Sequence, residues 1–295
     1  MNKFFFILFL LILIIVINSL CNNENFSNIE SEKSYILPKI IYCYWDDENN
    51  KLMNCFLDNW KRKLPKEWTI NFINNNNIRN YVSQEFLDKY NYLESFRFSD
   101  FLRLELLKKT GGIWLDISTI IFNGNFIEKY YYEMKDHQYD VCMYEFEKRT
   151  LVQTEPYLEN WFIIAPKNSK FIIDLYDEFE RARSIDFAVY KNNILKKSGI
   201  NLTNTLKYDD HFTYLMQHAI IHYLLKTGNK YKINIKSASE SFFKLHDLSH
   251  WKNHYIINNF MSNNDWSNYY AIKLGAHQRV YIEDENEFIR KLNNI

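Results

Sequence analysis

The sequence predicts an α/β protein in which a mixed sheet is flanked by helices. From Pro38 onward, short β-branched and aromatic segments alternate with segments of helical spacing, a pattern typical of this fold class. One helix-like segment runs through the double glycine Gly111–Gly112 into a short apolar run that ends at Asp116. With 295 residues, 47% of them hydrophobic, the chain is long enough and apolar enough to form a core.

The expected strands are buried β-branched or aromatic runs, and the expected helices have apolar residues on one face. We expect strands at Lys39–Tyr44, Trp68–Ile73, Ile113–Leu115, Val141–Phe146 and Trp161–Ala165. We expect helices at Met53–Lys63, Ile78–Val82, Gln84–Lys89, Asp100–Thr110, Ser169–Arg183 and Asp209–Leu225. Beyond Ser237 the pattern assigns no element.

The helix before the double glycine carries the clearest boundary signals in the chain. Ser99 is expected as its N-cap, and Asp100 would then lie near the positive end of the helix dipole. Lys108 and Lys109 suit the negative end, and Gly111 suits a left-handed C-terminal turn.

The charge balance excludes a protein built around nucleic acid. Lys and Arg together number 36, as do Asp and Glu, so the net charge is zero. Binding along a phosphate backbone needs a basic surface that such a chain lacks. The scarcity of glycine and proline, six and four residues, excludes collagen-like and proline-rich classes.

The first 21 residues are typical of a secretory leader. Lys3 precedes an uninterrupted apolar run from Phe4 to Ile17. This run is shorter than the roughly 20 residues that span a bilayer, so a cleaved signal peptide and an uncleaved type II signal-anchor both remain open. Residues 22–36 are polar and are interpreted as a stem, and residues 37–295 as a single domain that lies in a secretory lumen or outside the cell.

The cysteines and glycosylation sequons add little to this prediction. Cys43, Cys55 and Cys142 follow the leader, and they allow one disulfide bond or three core thiols. Asn25 and Asn201 begin Asn-x-Ser/Thr sequons, compatible with a glycoprotein.

Three charged residues are expected to meet at one edge of the sheet. Asp100 and Arg103 have i, i+3 spacing on one helical face, and Asp116 follows a strand. The Gly-Gly reversal brings the start of the helix near the end of that strand. Two carboxylates and a guanidinium suit a polyhydroxylated, anionic ligand, whereas the simpler alternative is an intrahelical Asp100–Arg103 salt bridge.

The segment SDFLRLELLKKTGGIWLDIS, residues 99–118, resembles the core motif of DXD-motif sugar transferases of the capsular polysaccharide synthesis and α-1,6-mannosyltransferase type. Large clostridial glucosylating toxins share that core. The segments KIIYCYWDD and Asn59-Trp60 are similar to the capsular branch. The resemblance covers about Lys39–Phe122 well and is weaker beyond, through Trp161–Pro166, Tyr208–Phe212 and Ile272–Leu274.

This resemblance implies a GT-A-like (Rossmann-like) fold that uses a nucleotide-sugar donor and a glycan or glycoconjugate acceptor. It implies that Asp100 and Arg103 hold the donor sugar and its phosphate side, and that Asp116 contacts the ribose or sugar and the metal. The remaining implied donor contacts are Trp45 at the base, the turn residues Gly111 and Gly112, the hydroxyl of Ser118, and Lys273 at the diphosphate.

The motif departs from the DXD pattern at its second acidic position, although the capsular branch of the family also has a hydroxyl residue there. Ser118 stands where a DXD motif has a carboxylate. Because a hydroxyl is a weak ligand for Mn²⁺ or Mg²⁺, a metal bound by Asp116 and Ser118 is in doubt. The alternatives to a transferase are an inactive carbohydrate-binding descendant and a two-carboxylate glycoside hydrolase.

The histidines are expected to be structural. His218 and His222 have the spacing of a zinc-protease helix, but Ala219 stands where that motif has its Glu. His246, His250 and His254 repeat the spacing, and some relatives use a C-terminal histidine as a metal ligand. His246 or His250 is therefore kept as a candidate ligand.

Overall fold

The structure is a computed structural model, which describes residues 34–152, 154–200, 213–227 and 230–295. The leader, most of the stem, both sequon asparagines and the segment Tyr208–Phe212 lie outside the described residues. Ile36–Ile295 forms one compact unit. Within the described residues, no helix has the length and apolarity needed to cross a membrane.

The unit contains alternating strands and helices, as the sequence predicts. The strands are β1 Ile40–Tyr44, β2 Thr69–Ile73, β3 Gly112–Leu115, β4 Thr119–Ile121, β5 Val141–Glu145, β6 Leu158–Ala165, β7 Ile233–Ser237 and β8 Ala271–Lys273. The helices are α1 Lys51–Lys63, α2 Gln84–Tyr90, α3 Ser95–Thr110, α4 Asn125–His137, α5 Lys170–Ile185, α6 Phe187–Tyr190, α7 Met216–Lys226, α8 Lys244–Leu248, α9 Asn253–Ser262, α10 Ala276–Arg279 and α11 Glu285–Asn293, with single turns of other helix types at Ile78–Asn80, Lys191–Leu195 and Lys196–Ser198.

Six strands form a mixed sheet in the order β2-β1-β3-β6-β5-β7. β1 runs parallel to both β2 and β3, whereas β6 runs antiparallel to β3 and β5. The chain passes from β1 to β2 on one side and later to β3 on the other. The crevice between β1 and β3 is therefore a point where the strand order reverses, which is where open α/β sheets bind ligands.

Helices cover both faces of this sheet. On one face, α3 places the Arg103 guanidinium 5.1 Å from the centre of the Trp114 ring. On the other face, Phe126 of α4 contacts Phe162 of β6, with ring centres 6.3 Å apart. The predicted α/β fold, a mixed sheet flanked by helices, is confirmed.

A second ladder pairs β4 with β8 in an antiparallel register that sets Thr119 opposite Lys273. The other edge of β4 is held by α1. The side-chain amide of Asn59 donates to the Ile121 carbonyl at 3.0 Å and accepts from the Ile121 N–H at 2.8 Å. The indole of Trp60 donates to the Thr119 carbonyl at 2.7 Å. The Asn59-Trp60 pair thus fixes the strand that follows Asp116.

The prediction that Ser99 is the N-cap of α3 is wrong, because the helix begins one turn earlier. Its N-cap is Glu94. The extra turn is stabilised by Phe98, whose ring centre lies 5.4 Å from that of Tyr44 and 5.8 Å from that of Phe86. Asp100 therefore lies in the second turn, away from the helix terminus.

The double glycine makes the reversal between α3 and β3. Gly111 has φ +73°, and a Cβ there would lie 2.4 Å from the Lys167 nitrogen. Gly112 has φ +117°, and its Cβ would lie 2.8 Å from the Ile40 carbonyl oxygen. Only glycine fits both the backbone angles and the close approach of two neighbouring chain segments.

The three cysteines beyond the leader are free and buried. Of the two alternatives left open by the sequence, core thiols are therefore correct for Cys43, Cys55 and Cys142. Burial raises the pKa of the Cys142 thiol to about 12, so this group stays protonated.

Candidate active site

A cleft of about 490 Å³ opens beyond the carboxyl ends of β1 and β3. Among the predicted site residues, those that line it are Trp45, Asp100, Arg103, Asp116, Ser118 and Lys273. The structure thus brings together residues from β1, α3, β3 and β8. They meet because β1 and β3 are parallel, so the segments that follow these strands leave the sheet at the same edge.

The α3 face of the cleft is a buried arginine–aspartate–arginine cluster. Arg97 Nη1 lies 2.7 Å from one Asp100 carboxylate oxygen, and Arg103 Nη1 lies 3.2 Å from the other. All three side chains are at most 7% exposed. Burial raises the pKa of Asp100, while the two guanidiniums oppose that rise.

Two amide side chains hold this cluster in place. Gln217 donates to the Asp100 backbone carbonyl at 3.1 Å and accepts from Arg103 at 3.3 Å. Asn160 donates to the Asp100 carboxylate at 3.2 Å and to the Gln217 oxygen at 2.6 Å. Helix α7 and strand β6 are thereby tied to α3 through hydrogen bonds that fix the side chains in the cleft wall.

Asp116 lies at the centre of the cleft and has a cation on each side. Its Oδ1 accepts from the Trp114 indole at 3.0 Å and lies 3.6 Å from Arg103 Nη2. Its Oδ2 lies 3.3 Å from the Lys273 ammonium. Burial alone would raise the pKa of Asp116, but the Lys273 and Arg103 charges lower it below the ordinary value. Asp116 is therefore an ionised carboxylate, 27% exposed.

The residues expected to hold Mn²⁺ or Mg²⁺ do not fit that ion. Lys273 Nζ lies 2.9 Å from the Ser118 hydroxyl as well as 3.3 Å from Asp116. Hard divalent cations need several oxygen ligands, most of them carboxylate, carbonyl or water. Within the described parts of the chain, no three His, Cys, Asp or Glu residues form a metal-binding group.

At the far side of the cleft, Arg279 faces Trp45. The guanidinium carbon lies 5.4 Å from the centre of the Trp45 ring, within the range of a cation–π contact. Arg279 Nη1 donates to the Leu274 carbonyl at 3.0 Å. No carboxylate of the described residues lies within 4 Å of this guanidinium, so its remaining donors are available to an anion.

Gly111 and Gly112 lie outside this cleft. They precede β3, whereas Asp116 follows it, so the length of the strand separates them from the site. Their assignment as donor-binding residues is corrected accordingly: they contribute by setting the α3–β3 reversal, which positions Asp100 and Asp116 together.

The histidines have carboxylate or aromatic neighbours. His218 Nε2 lies 3.4 Å from Glu159, and His222 Nε2 lies 2.9 Å from Glu155. His246 packs between Phe243 and Trp251, outside the cleft lining. Burial, and then the Lys273 charge, lower the pKa of His246 to about 3. His250 has φ +51° in the turn after α8, so the histidines from 246 to 254 do not share a single helical face.

Four residues that contact the predicted site residues were not indicated by the sequence: Arg97, Asn160, Gln217 and Arg279. Arg97 precedes Asp100 by three residues, so the same i, i+3 spacing that indicated Arg103 could have indicated it. Asn160, Gln217 and Arg279 carry no such signal, because only the tertiary fold brings them to α3 and β1.

No curated protein matches the sequence significantly. The fold aligns with the crystal structure of the glycosyltransferase GlyE from Streptococcus pneumoniae TIGR4 at 9% identity and a TM-score of 0.39, over 88% of this chain and 63% of that one. It also aligns with the PaToxG glycosyltransferase at 14% identity and a TM-score of 0.31, over 65% of this chain and 79% of that one. The chain therefore spans less than two thirds of the GlyE structure. By sequence, the family described as capsular polysaccharide synthesis protein matches residues 12–182, more than half of the chain, and the chain belongs to this family.

Proposed function

We propose that this protein is a glycosyltransferase that moves a sugar from a nucleotide-sugar donor to a hydroxyl group of a glycan or glycoconjugate acceptor. Membership of the capsular polysaccharide synthesis family supports this function. The position of the cleft, at the strand-order reversal between β1 and β3, also supports a nucleotide-type ligand.

The observation that carries the proposal is the available charge of Arg279 beside the Trp45 ring. An indole can stack on a nucleobase, and a guanidinium can form two parallel hydrogen bonds with a phosphate. Arg103 and Lys273 line the same cleft. A nucleoside diphosphate that stacks on Trp45 would therefore extend past Arg279 toward these two cations.

In the proposed reaction, the acceptor oxygen bonds to the anomeric carbon as the bond from that carbon to the diphosphate breaks. The electron pair of the broken bond stays on the diphosphate, and the acceptor proton is released to solvent or to the leaving group. Arg279, Arg103 and Lys273 would stabilise the charge that develops on the leaving oxygen. Asp116 would accept hydrogen bonds from sugar or ribose hydroxyls.

The contacts of Asp100 favour a transferase over the glycoside hydrolase alternative. A hydrolase needs two carboxyl groups that both face the scissile bond. Both Asp100 oxygens instead meet cationic donors, Arg97 on one side and Arg103 on the other. The inactive, carbohydrate-binding alternative differs from the transferase only in turnover. Measuring the release of nucleoside diphosphate from the donor therefore separates the two.

The test is a panel of nucleotide sugars in which release of the nucleoside diphosphate is measured with and without an acceptor mixture. We expect one donor to be consumed by the wild-type chain, and the Arg279→Gln variant to raise the KM for that donor about tenfold, since charge-assisted hydrogen bonds contribute about 1.5–3 kcal/mol. Asp116→Asn should lower kcat.

The matched control is Arg290→Gln, since Arg290 is exposed on α11 and away from the cleft. This variant should behave as wild type. If no donor is consumed, and donor binding is the same in wild type and Arg279→Gln, the proposal is wrong. Cleavage of a simple aryl glycoside would support the hydrolase instead.

We also propose that the chain enters the secretory pathway through residues 1–21 and that its body works in the lumen or outside the cell. N-terminal sequencing of the purified protein separates the two forms of the leader. A mature chain that begins near residue 22 indicates cleavage, and an intact leader in the membrane fraction indicates a type II anchor. An intact chain in the cytosolic fraction would contradict the proposal.

A further inference from the structure

The Lys273 ammonium lies within 3.3 Å of both Asp116 and Ser118, the two residues that the sequence indicates as metal ligands. Nζ is 3.3 Å from Asp116 Oδ2, 2.9 Å from Ser118 Oγ and 3.3 Å from the Leu274 carbonyl oxygen. The side chain is only 11% exposed. The ammonium is thus in contact with one carboxylate oxygen, one hydroxyl oxygen and one backbone carbonyl oxygen.

The backbone holds this lysine in position. Lys273 lies opposite Thr119 in the β4–β8 ladder, and the next residue, Leu274, donates its N–H to the Ser118 carbonyl at 2.9 Å. β4 is fixed in turn by Asn59 and Trp60 of α1. The register of the β4–β8 ladder therefore determines where the Lys273 backbone lies. From that position its side chain reaches both Asp116 and Ser118.

A divalent cation at this place would meet unfavourable charges. Asp116 carries one negative charge and already lies near two positive groups, Lys273 at 3.3 Å and Arg103 at 3.6 Å. A dication would have to displace the ammonium or lie beside it, and Ser118 offers it a neutral oxygen in place of a second carboxylate.

We propose that Lys273 is a cation built into the chain that takes the place of a divalent metal, so that the cleft binds a diphosphate without Mn²⁺ or Mg²⁺. The part concerning the diphosphate rests on the proposed function, whereas the exclusion of the metal does not.

The first experiment measures Mn²⁺ binding by the full chain without nucleotide, from the loss of the free-ion signal in electron paramagnetic resonance. Wild type should show no saturable binding below millimolar Mn²⁺. The double variant Lys273→Met/Ser118→Asp removes the ammonium and restores a second carboxylate, so it should bind Mn²⁺ at least tenfold more tightly. Adding Asp116→Asn to the double variant should abolish that gain.

The control for removing a lysine is Lys252→Met, because Lys252 is exposed and lies away from the cleft. It should bind Mn²⁺ as wild type does, and circular dichroism checks that every variant is folded. Submillimolar Mn²⁺ binding by wild type that Asp116→Asn weakens would overturn the inference. So would a folded double variant that binds no better than wild type.

The second experiment measures UDP and GDP binding by calorimetry in the presence of EDTA. At least one nucleotide should bind wild type equally well with EDTA and with Mn²⁺, and Lys273→Met should weaken it at least tenfold. Binding that appears only with Mn²⁺ overturns the inference and leaves the proposed function intact. Absence of binding under both conditions contradicts the proposed function, while the Mn²⁺ titration still decides whether Lys273 excludes the metal.

Discussion

At the scale of single residues, Asp100 is the counter-ion of two buried arginines on α3, Arg97 and Arg103. Arg97 and Arg103 would face each other across a neutral group if Asp100 lost its charge. Buried like charges without a counter-ion are strongly unfavourable. We therefore expect Asp100 to stabilise the fold in addition to any role in the proposed donor site.

We expect Asp100→Asn to lower the free energy of unfolding by about 3–5 kcal/mol, the cost of removing one partner from a buried ion pair. Urea denaturation at pH 7 measures this change. The control is Asp88→Asn on α2, where the aspartate is exposed and accepts one hydrogen bond from Gln84; it should cost less than about 1 kcal/mol. Equal losses in the two variants would contradict the prediction.

The sequence predicted Asp100, Arg103 and Asp116 because local spacing determines where they lie. Helical periodicity fixes the first two relative to each other, and the end of a buried strand fixes the third. Arg279 and Gln217 could not be predicted in this way. Gln217 contacts Asp100, and Arg279 contacts Trp45, across more than 100 residues of chain, and no local pattern specifies such a contact.

At the scale of elements, five of the six strands of the main sheet were predicted to within a few residues, while β7, α4, the short strands β4 and β8, and the helices beyond Ser237 were not predicted. β4 and β8 are three residues long and pair with each other across about 150 residues of chain. Such short segments carry no usable periodicity. Their pairing depends on side chains of α1, which sequence periodicity does not connect to them.

Asn59 tests whether α1 holds β4 in place. Asn59→Leu keeps the approximate side-chain volume but leaves the buried N–H and carbonyl of Ile121 without their partner. We expect a loss of about 2–4 kcal/mol in the free energy of unfolding, because each buried, unpaired polar group costs about 1–3 kcal/mol. Denaturant titration measures it.

The control for Asn59 lies on the same helix. Asn54 is half-buried and its amide makes one hydrogen bond, to the Glu48 carbonyl, so Asn54→Leu should cost about 1 kcal/mol or less. If Asn59→Leu were no more costly than this control, the amide would not support β4.

A second prediction at this scale concerns Gly111, which lies in the reversal between α3 and β3. Gly111 and Gly199 both have φ +73°, but only at Gly111 would a Cβ meet backbone atoms, at 2.4 and 2.8 Å. Gly199→Ala should cost only the strain of a left-handed alanine, about 1–2 kcal/mol. Gly111→Ala should cost clearly more, because the backbone of Pro166 and Lys167 must move. Thermal unfolding of both variants compares them directly, and equal shifts in Tm would show that the reversal tolerates a side chain.

At the scale of the whole molecule, zero net charge is compatible with a cleft lined by three cationic side chains together with the carboxylates of Asp46, Asp100 and Asp116. Arg103, Lys273 and Arg279 lie in one depression, although positive and negative residues are equally numerous in the chain. Overall charge decides how a protein behaves toward long polyanions, whereas the local arrangement decides whether it binds a small one. The sequence therefore excluded nucleic acid without excluding a phosphate ligand.

The lowered pKa of Glu180 makes the free energy of unfolding depend on pH in the acid range. Burial alone would raise its pKa, but hydrogen bonds from Arg183, Lys89 and Tyr90 outweigh that and lower the pKa to about 2. The stabilisation is therefore complete above the ordinary pKa of 4.5 and is lost as the pH falls from there toward 2.

Glu180→Gln should therefore destabilise the protein near neutral pH by at most about 3 kcal/mol, and the difference from wild type should disappear as the pH falls from 4.5 to about 2. Urea denaturation at several pH values measures it. The exposed Glu283 provides the control, since Glu283→Gln should leave the curve unchanged. A difference that is independent of pH would contradict the prediction.

The β4–β8 ladder also sets the order in which the cleft becomes complete during synthesis. A ribosome adds residues from the N-terminus, and domains begin to fold as they emerge. The last strand of the main sheet ends at Ser237, so all six of its strands have been synthesised before Lys273 is added. Asp116 and Ser118 therefore gain their contacts with Lys273 only after all six strands of the main sheet have been synthesised.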